Sequence, residues 1–258
     1  MKSILIALAL VAALGASTQA TAMGRLVDLR VVDRTTQQEL PVYRHEGRYY
    51  IAGQPGHRYQ LQLRSRECER VLGVLSVDGV NVLSGDTADW SQTGYVLDAY
   101  AATEIRGWRK SLSEVADFVF ADASQSYASR TGRPDNVGVI GMAVFRQRPL
   151  PRRVLPIAPQ VAEPAQDAML GGLARSAPAP KAKAAESGGP LGTGHGPREA
   201  SPVTYTDFTR ASSTPDEVVT LYYDTRESLL AQGVIPSPRS PQSELPDPFP
   251  GHFVPDPR

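Results

Sequence analysis

The stretch Tyr59-Gln60-Leu61-Gln62-Leu63-Arg64 alternates strictly between apolar and polar side chains. Neighbouring side chains of a β-strand point to opposite faces, so this period predicts a strand whose apolar members face a core. Segment 27–31 alternates in the same way, with Val27, Leu29 and Val31 apolar. Both segments therefore predict strands that bury one face of a sheet.

A β-hairpin is predicted around Asp78-Gly79, which lies between Val77 and Val80. Asp-Gly suits the two positive φ angles of a type I′ turn, whose twist matches that of the flanking strands. If Val77 pairs with Val80, then Leu75 pairs with Val82, and these four apolar side chains share one face. The predicted register is therefore self-consistent.

Further strands are predicted at 95–99, 103–109, 115–121 and 137–146. The last segment is apolar on both faces, which is typical of a strand in the middle of a covered sheet. Within residues 25–147, only segment 124–131 predicts a short helical turn. Many short strands with few helix signals indicate an all-β fold, either an antiparallel β-sandwich or a flattened barrel.

Residues 1–22 have the pattern of a secretory signal peptide. Lys2 precedes an apolar run at 4–14, and small residues end the segment at Ala20-Thr21-Ala22. The run is shorter than the ~20 residues that a transmembrane helix needs, and the alternative is a buried N-terminal helix. We expect a periplasmic or secreted protein, cleaved near Ala22, whose mature chain has no transmembrane segment.

The composition after the signal peptide separates a folded domain from less regular segments. Residues 23–147 carry the strand patterns of the predicted sandwich domain. Residues 148–200 are rich in proline, alanine and glycine and bury too little apolar surface to offset their chain entropy, which predicts a mostly disordered linker. Residues 236–258 are rich in proline and predict an irregular, exposed tail.

A small strand–helix segment is predicted at 201–235. The β-branched and aromatic run 218–223 predicts a strand, and 226–233 predicts a short helix that ends at a glycine. A rival interpretation is one long helix that starts at Thr214-Pro215-Asp216-Glu217, which has the form of a capping box. A segment this short forms no core alone, so we expect it to pack on the N-terminal sheet or on a partner.

Charge and cysteine content limit the possible partners. The 27 basic residues equal the 27 acidic residues in number, so the chain as a whole has no attraction to nucleic acid, whose binding needs a concentrated positive face. Cys68 is the only cysteine. No intramolecular disulfide can form, and the charged neighbours of Cys68 predict a surface or half-buried thiol in a turn.

Gly192-Thr193-Gly194-His195-Gly196 is the most motif-like stretch of the chain. A glycine loop that binds phosphate requires a strand before it and a helix after it, whereas a Pro/Gly-rich segment precedes this stretch and Pro197 follows it. The favoured interpretation is a flexible loop. His195 is still the histidine to test for a functional role.

The sequence predicts no catalytic residue, no metal site and no cofactor. No two histidines lie three or four residues apart, and metal binding needs several ligands brought together. The histidines are His45, His57, His195 and His252. Segment 86–89 offers loop oxygens for calcium but is better interpreted as a turn. Asp117 lies in a predicted strand, and we expect its side chain to point into solvent.

Aromatic residues near predicted strand ends are the remaining candidates for binding. Trp90, Trp108 and Tyr95 could form a platform for a glycan or a peptide, although in a sandwich such residues more often pack in the core or at its rim. A basic group flanks the predicted linker and is interpreted as its solvated edge, or as a contact with anionic lipid or polysaccharide. This group comprises Arg146, Arg148, Arg152 and Arg153.

Several short segments resemble a group of exported proteins from Gram-negative bacteria that have no assigned activity. They are Gly47-Arg48-Tyr49-Tyr50-Ile51-Ala52-Gly53, Ser76-Val77-Asp78-Gly79-Val80-Asn81, Gly107-Trp108-Arg109-Lys110-Ser111 and Gly132-Arg133-Pro134-Asp135-Asn136-Val137-Gly138. The resemblance covers most of 25–147 and extends to 192–199 and 203–235. It implies a bacterial envelope protein and supplies no catalytic residues.

Together these patterns predict an exported, non-enzymatic envelope protein that binds or has a structural role. Its β-sandwich would contact an envelope protein or a glycan. One route is strand addition, in which segment 218–223 pairs with a sheet edge of this chain or of a partner. The alternative is an envelope hydrolase or metal-dependent enzyme with a site near His195.

Overall fold

The computed structural model describes residues 23–149 and 190–236. The predictions of a signal peptide at 1–22, of a linker over 150–189 and of a tail beyond 236 lie outside the described residues. The described strands are β1 (Val27–Asp33), β2 (Gln38–Glu39), β3 (Val42–His45), β4 (Arg48–Gly53), β5 (Arg58–Ser65), β6 (Val71–Val77), β7 (Val80–Asn81), β8 (Tyr95–Leu97), β9 (Ala102–Ile105), β10 (Gly107–Arg109), β11 (Glu114–Asp122), β12 (Val139–Arg146), β13 (Leu191–Ala200) and β14 (Glu217–Thr225). The described helices are α1 (Tyr127–Arg130) and α2 (Arg226–Ala231), with single 3₁₀ turns at Ala123–Gln125 and Pro134–Asn136.

The strands form two sheets that pack face to face, which confirms the predicted β-sandwich. The first sheet has the order β10-β11-β5-β1-β2, with β13 also on β11 and β9 also on β5. The second has the order β3-β4-β14-β12-β6-β7, with β8 also on β6. All pairings among the described strands are antiparallel except that of β14 with β4.

The alternating segments of the sequence lie side by side in the first sheet. β1 pairs with β5 so that Leu29 is opposite Leu63 and Val31 is opposite Leu61. All four side chains are buried, and burial of each aliphatic side chain stabilises the fold by about 1.5–3 kcal/mol. Tyr59, at the start of the same apolar row, stacks on Phe118 and Phe120 of β11.

The predicted hairpin and its register are confirmed. Asp78 and Gly79 have φ angles of 52° and 71°, as a type I′ turn requires. Val77 pairs with Val80, and the N–H of Val82 donates to the C=O of Leu75 at 3.2 Å.

β12 is the central strand that its two apolar faces predicted. It lies between β14 and β6. Ile140, Met142 and Val144 face the core between the sheets, while Ala143 and Phe145 belong to a smaller apolar cluster on the other face. Because protein covers both faces of β12, its sequence does not alternate between apolar and polar residues.

The predicted strand–helix segment is also confirmed, and the rival long helix is wrong. The strand is β14, and Thr225 caps α2 by accepting the N–H of Ser228 at 3.1 Å. Its position differs from simple edge addition, because β14 lies between β4 and β12 inside the second sheet. Leu229 of α2 packs with Val234 and Ile235 in a cluster that includes Tyr43 and Tyr50. The segment therefore belongs to the sandwich.

The prediction of a disordered linker up to residue 200 is wrong for 191–200, where β13 pairs with β11. Glycine occupies alternate positions of this strand because they leave no room for a larger side chain. A Cβ at Gly192 would lie 2.6 Å from the Cβ of Ser126, and one at Gly196 would lie 2.9 Å from the Cβ of Asp117. Glycine here permits close packing of backbone.

Strand 103–109 is divided in two. β9 pairs with β5 and β10 pairs with β11, with Arg106 between them. The described residues contain no helix that is long and apolar enough to cross a membrane.

Candidate functional site

His195 lies on β13 beside the short helix α1 and lines an open cavity. The imidazole stacks against the ring of Tyr127, with ring centroids 6.1 Å apart and an interplanar angle of 29°. The cavity measures about 330 Å³ and is lined by Tyr127, Arg130, Thr131 and His195. We call it the His195 cleft. The prediction of a flexible loop at His195 is thus wrong. The candidate binding residue His195 lies in a strand and lines a cavity.

A backbone hydrogen bond holds the 3₁₀ turn before α1 next to the start of β13, and a serine cap stabilises α1. The N–H of Ala123 donates to the C=O of Pro190 at 2.8 Å. The buried hydroxyl of Ser126 donates to the C=O of Ala123 and accepts the N–H of Ser129 at 3.1 Å, so it caps α1. A serine cap of this kind stabilises the start of a helix, and here it also fixes the position of Tyr127.

Trp108 supports the cleft from below. The Trp108 side chain is 2% exposed and its ring centroid lies 4.8 Å from that of Tyr127. Its Nε1–H donates to the C=O of Gly194 at 3.2 Å. Trp108 is therefore a packed residue, and the prediction of an accessible binding platform at Trp108 is wrong because the ring fills the space beneath β13.

Positive charge surrounds the imidazole. The Nζ of Lys110 lies 5.3 Å from the centre of the Tyr127 ring, and Arg130 and Arg198 lie close enough to act on His195. Burial lowers the pKa of His195, and the charges of Lys110, Arg198 and Arg130 lower it further. The imidazole is therefore mainly neutral at neutral pH, since its ordinary pKa is about 6.5.

This arrangement offers an aromatic face, a neutral imidazole and the cationic side chain of Arg130 in one small cavity, with further positive charge nearby. Such a set can bind an anionic group and stack on a ring or planar group. An imidazole that acts as a catalytic base is usually oriented by a third group such as a carboxylate. Among the described residues no carboxylate hydrogen-bonds to the imidazole of His195. The described residues also contain no group of three or more His, Cys, Asp or Glu side chains that could hold a metal ion.

Trp90 and Tyr95 lie apart from the His195 cleft. Trp90 is 53% exposed, and its C=O accepts Nη1–H of Arg210 at 2.7 Å. Tyr95 is on β8 of the second sheet, where its hydroxyl accepts from Arg109 at 3.4 Å and burial raises its pKa. The four predicted binding residues therefore do not form a single site.

A buried chain of hydroxyl groups, which the sequence did not reveal, crosses between the sheets. The hydroxyls of Tyr59 and Thr193 are 2.6 Å apart, as are those of Thr193 and Tyr223. The Tyr223 hydroxyl donates to the Asp78 carboxylate at 2.5 Å. Because the last donor is fixed by the carboxylate, the chain donates in one direction, from Tyr59 to Thr193 to Tyr223 to Asp78.

Backbone groups complete the environment of Asp78. Its Oδ2 accepts the N–H of Thr193 at 2.8 Å and its Oδ1 accepts the N–H of Gly138 at 2.9 Å. Burial raises the pKa of the Asp78 carboxyl, and these hydrogen bonds oppose the rise. All members of the chain are buried, so we assign it a structural role.

Asp117 is buried, and the prediction that it points into solvent is wrong. Its carboxylate oxygens accept from Arg34 at 3.0 Å and from Arg58 at 3.1 Å, while Arg34 also binds Glu199 at 2.8 Å. Burial raises the pKa of Asp117, and Arg34 opposes the rise. The outer face of β11 does point away from the core, but arginines from neighbouring segments cover it.

The structure also places the remaining sequence candidates. Cys68 is exposed, as predicted. Segment 86–89 is a bend in which Thr87 forms an isolated bridge with Val80, and the N–H of Asn81 donates to the C=O of Asp86. Arg146 binds Glu67 at 3.2 Å. Arg152, Arg153 and His252 lie outside the described residues.

The comparisons with protein-family models, with curated proteins and with solved structures gave no match.

Proposed function

We propose that this chain is an exported, non-enzymatic binding protein of the bacterial envelope, and that its His195 cleft takes an anionic group of an envelope protein or glycan. The observation that carries the proposal is the convergence of His195, Tyr127 and Arg130 on one open cavity, with Lys110 and Arg198 near enough to act on the imidazole. Those residues come from β13, α1 and the end of β10, so only the folded sandwich brings them together.

Export is supported by the signal pattern of residues 1–22. A lone exposed thiol and a large apolar core are compatible with an oxidising compartment, since the fold needs no disulfide. The resemblance to exported proteins of Gram-negative bacteria adds the expectation of an envelope location.

An anion fits the cleft better than a cation or a neutral ligand. Hydrogen bonds to charged groups contribute about 1.5–3 kcal/mol each, and Arg130, which lines the cavity, can donate them. Lys110 and Arg198 add positive charge nearby. Of these, Arg198 also approaches Glu114 at 3.4 Å, which leaves Arg130 and Lys110 as the main cations of the cleft. A bound anion favours the protonated imidazole and therefore raises the pKa of His195.

The proposal is tested by NMR titration of the full chain with two probes, a uronic-acid disaccharide and a blocked glutamate tripeptide. We expect signals of His195 and Tyr127 to shift with one of them and the pKa of His195 to rise at saturation. Arg130→Gln should weaken binding about tenfold, which corresponds to ~1.4 kcal/mol.

Arg64→Gln, an exposed residue on β5, is the matched control and should leave binding unchanged. Binding that is equal in Arg130→Gln and the parent chain would contradict the proposal. Hydrolysis of either probe that is lost in His195→Ala would instead favour the alternative, an envelope hydrolase.

A further inference from the structure

A second open cavity lies beside the start of β14, and it shares no lining residue with the His195 cleft. It measures about 510 Å³, which is within the usual range of small-molecule sites. Three segments that are far apart in the sequence line it, namely 23–25, 47–49 and residues of β14. We call it the Arg48 pocket.

The turn between β3 and β4 keeps the mouth of the pocket open. Glu46 and Gly47 have φ angles of 47° and 76°, so the chain reverses there and β4 begins at Arg48. A Cβ added at Gly47 would have no other atom within 4 Å. The space beside this turn is therefore free to hold a ligand.

Val218 supplies the pocket with an apolar surface and a backbone donor. Its side chain is 57% exposed. The N–H of Tyr223 donates to the C=O of Gly138, next to β12, at 2.9 Å, and backbone groups alternate in direction along a strand. The N–H of Val218 thus points away from β12, on the side where the ladder with β4 begins only at Tyr222.

Two arginines place positive charge at the pocket. The Glu217 carboxylate accepts the backbone N–H groups of Arg25 at 2.6 Å and Leu26 at 2.7 Å, which fixes the position of Arg25. The guanidinium of Arg48 lies 5.7 Å from the centre of the Tyr222 ring, at a cation–π distance. Among the residues that the structure describes, neither arginine forms an ion pair, so both can bind an anion.

The net charge of the pocket favours an anion with a single charge. Arg25, Arg48 and Glu217 are the charged residues that line it, and their charges sum to +1. A carboxylate matches this charge, whereas a phosphate monoester carries nearly two negative charges at neutral pH and would approach the carboxylate of Glu217. Nη2 of Arg25 also donates to the C=O of Asp216 at 3.4 Å, which leaves its other N–H groups for a ligand.

Tyr222 adds an aromatic wall. It is half-buried and its ring packs against that of Tyr50, with centroids 5.6 Å apart and an interplanar angle of 33°. Together with the exposed methyl groups of Val218, this ring offers a surface to an apolar or planar group.

We propose that the Arg48 pocket binds a small monocarboxylate that carries an apolar or aromatic group. The carboxylate pairs with Arg25 and Arg48 and accepts the N–H of Val218, while the rest of the ligand packs on Val218 and Tyr222. Because the two cavities share no lining residue, this proposal stands independently of the one for the His195 cleft.

NMR titration of the full chain with four probes tests the proposal. Phenylacetate has both the charge and the ring, phenylacetamide lacks the charge, acetate lacks the ring, and phenyl phosphate carries the larger charge. We expect phenylacetate to shift the signals of Val218 and Tyr222 and to bind more tightly than the other three. The difference should be about tenfold for the probes that lack the charge or the ring.

Charge removal provides the second readout. Arg25→Gln and Arg48→Gln should each weaken binding of phenylacetate about tenfold, whereas Arg64→Gln on the first sheet should leave it unchanged. Both replaced side chains are exposed, so the fold should persist, and an unchanged Tm verifies this.

Three results would overturn the proposal. The first is equal binding of phenylacetate and phenylacetamide, and the second is tighter binding of phenyl phosphate. The third is loss of phenylacetate binding in Arg130→Gln but not in Arg48→Gln, which would place the probe in the His195 cleft. Failure of the His195 cleft to bind its own probes would leave the Arg48 pocket unaffected.

Discussion

Asp78 combines a backbone role with a buried charge. Its positive φ supplies the first position of the hairpin turn, while its carboxylate accepts from Thr193, Gly138 and Tyr223. Burial raises its pKa in the folded state, so the folded chain holds this proton more tightly than the unfolded chain does. The stability that Asp78 contributes is therefore complete below its ordinary pKa and is lost as the pH rises through the folded pKa.

Asp78→Asn should separate these two roles. Asparagine also accepts a positive φ, but it places an amide N–H₂ where a carboxylate oxygen accepted a hydrogen bond. We expect a free energy of unfolding about 1–3 kcal/mol lower at neutral pH, and a larger deficit below about pH 4 because only the parent chain gains stability on protonation. Urea unfolding at a series of pH values measures both, and a deficit that grows as the pH rises would be the opposite result.

At the scale of the element, β13 depends on small residues that repeat at every second position. A Cβ added at Gly192 would meet the turn before α1, and one added at Gly194 or Gly196 would meet residues of the neighbouring strand β11. The intervening residues, Thr193 and His195, carry the polar groups. One strand thus supplies both the buried hydroxyl chain and the His195 cleft.

Alanine substitutions in β13 should have graded effects. The new Cβ lies 2.6 Å from Ser126 Cβ in Gly192→Ala but 3.3 Å from Ala121 Cβ in Gly194→Ala. We expect the first to lower the free energy of unfolding by about 1–3 kcal/mol and the second to cost less, as measured by urea unfolding. Equal losses would show that steric crowding at Gly192 is not the cause.

At the scale of the whole molecule, residues from both sides of segment 150–189 are interleaved. β13 joins the first sheet and β14 joins the second. Tyr59 and Asp78 come from before that segment, while Thr193 and Tyr223 come from after it, so the hydroxyl chain links both parts across the core. The described residues therefore fold as one sandwich.

Deletion of residues 201–258 should destroy the cooperative fold. Loss of β14 separates β4 from β12 and exposes apolar side chains of both strands to water. Calorimetry should show no cooperative transition, or a strongly lowered Tm. Deletion of 237–258 alone is the control and should preserve the transition. An unchanged Tm in the larger deletion would contradict the central position of β14.

Local sequence patterns predicted the strands whose apolar residues recur with a regular period or flank a recognisable turn. Segment 59–64, the Asp78-Gly79 hairpin and segment 218–223 all have apolar periodicity or turn residues that act over a few positions. β13 was not predicted because glycines form no apolar pattern and the strand follows a Pro/Ala-rich segment. The burial of Asp117 was not predicted either, because Arg34, one of its two guanidinium partners, lies 83 positions away in the sequence.

The sequence by itself determined the all-β class, the register of the hairpin and the central place of β12, because alternation and turn chemistry act between near neighbours. Only the tertiary structure decided that β14 enters the middle of a sheet and that the glycine stretch is a strand. It alone also brought His195 to Tyr127. Those outcomes depend on contacts between distant segments, which become defined only when both sheets close on a common core.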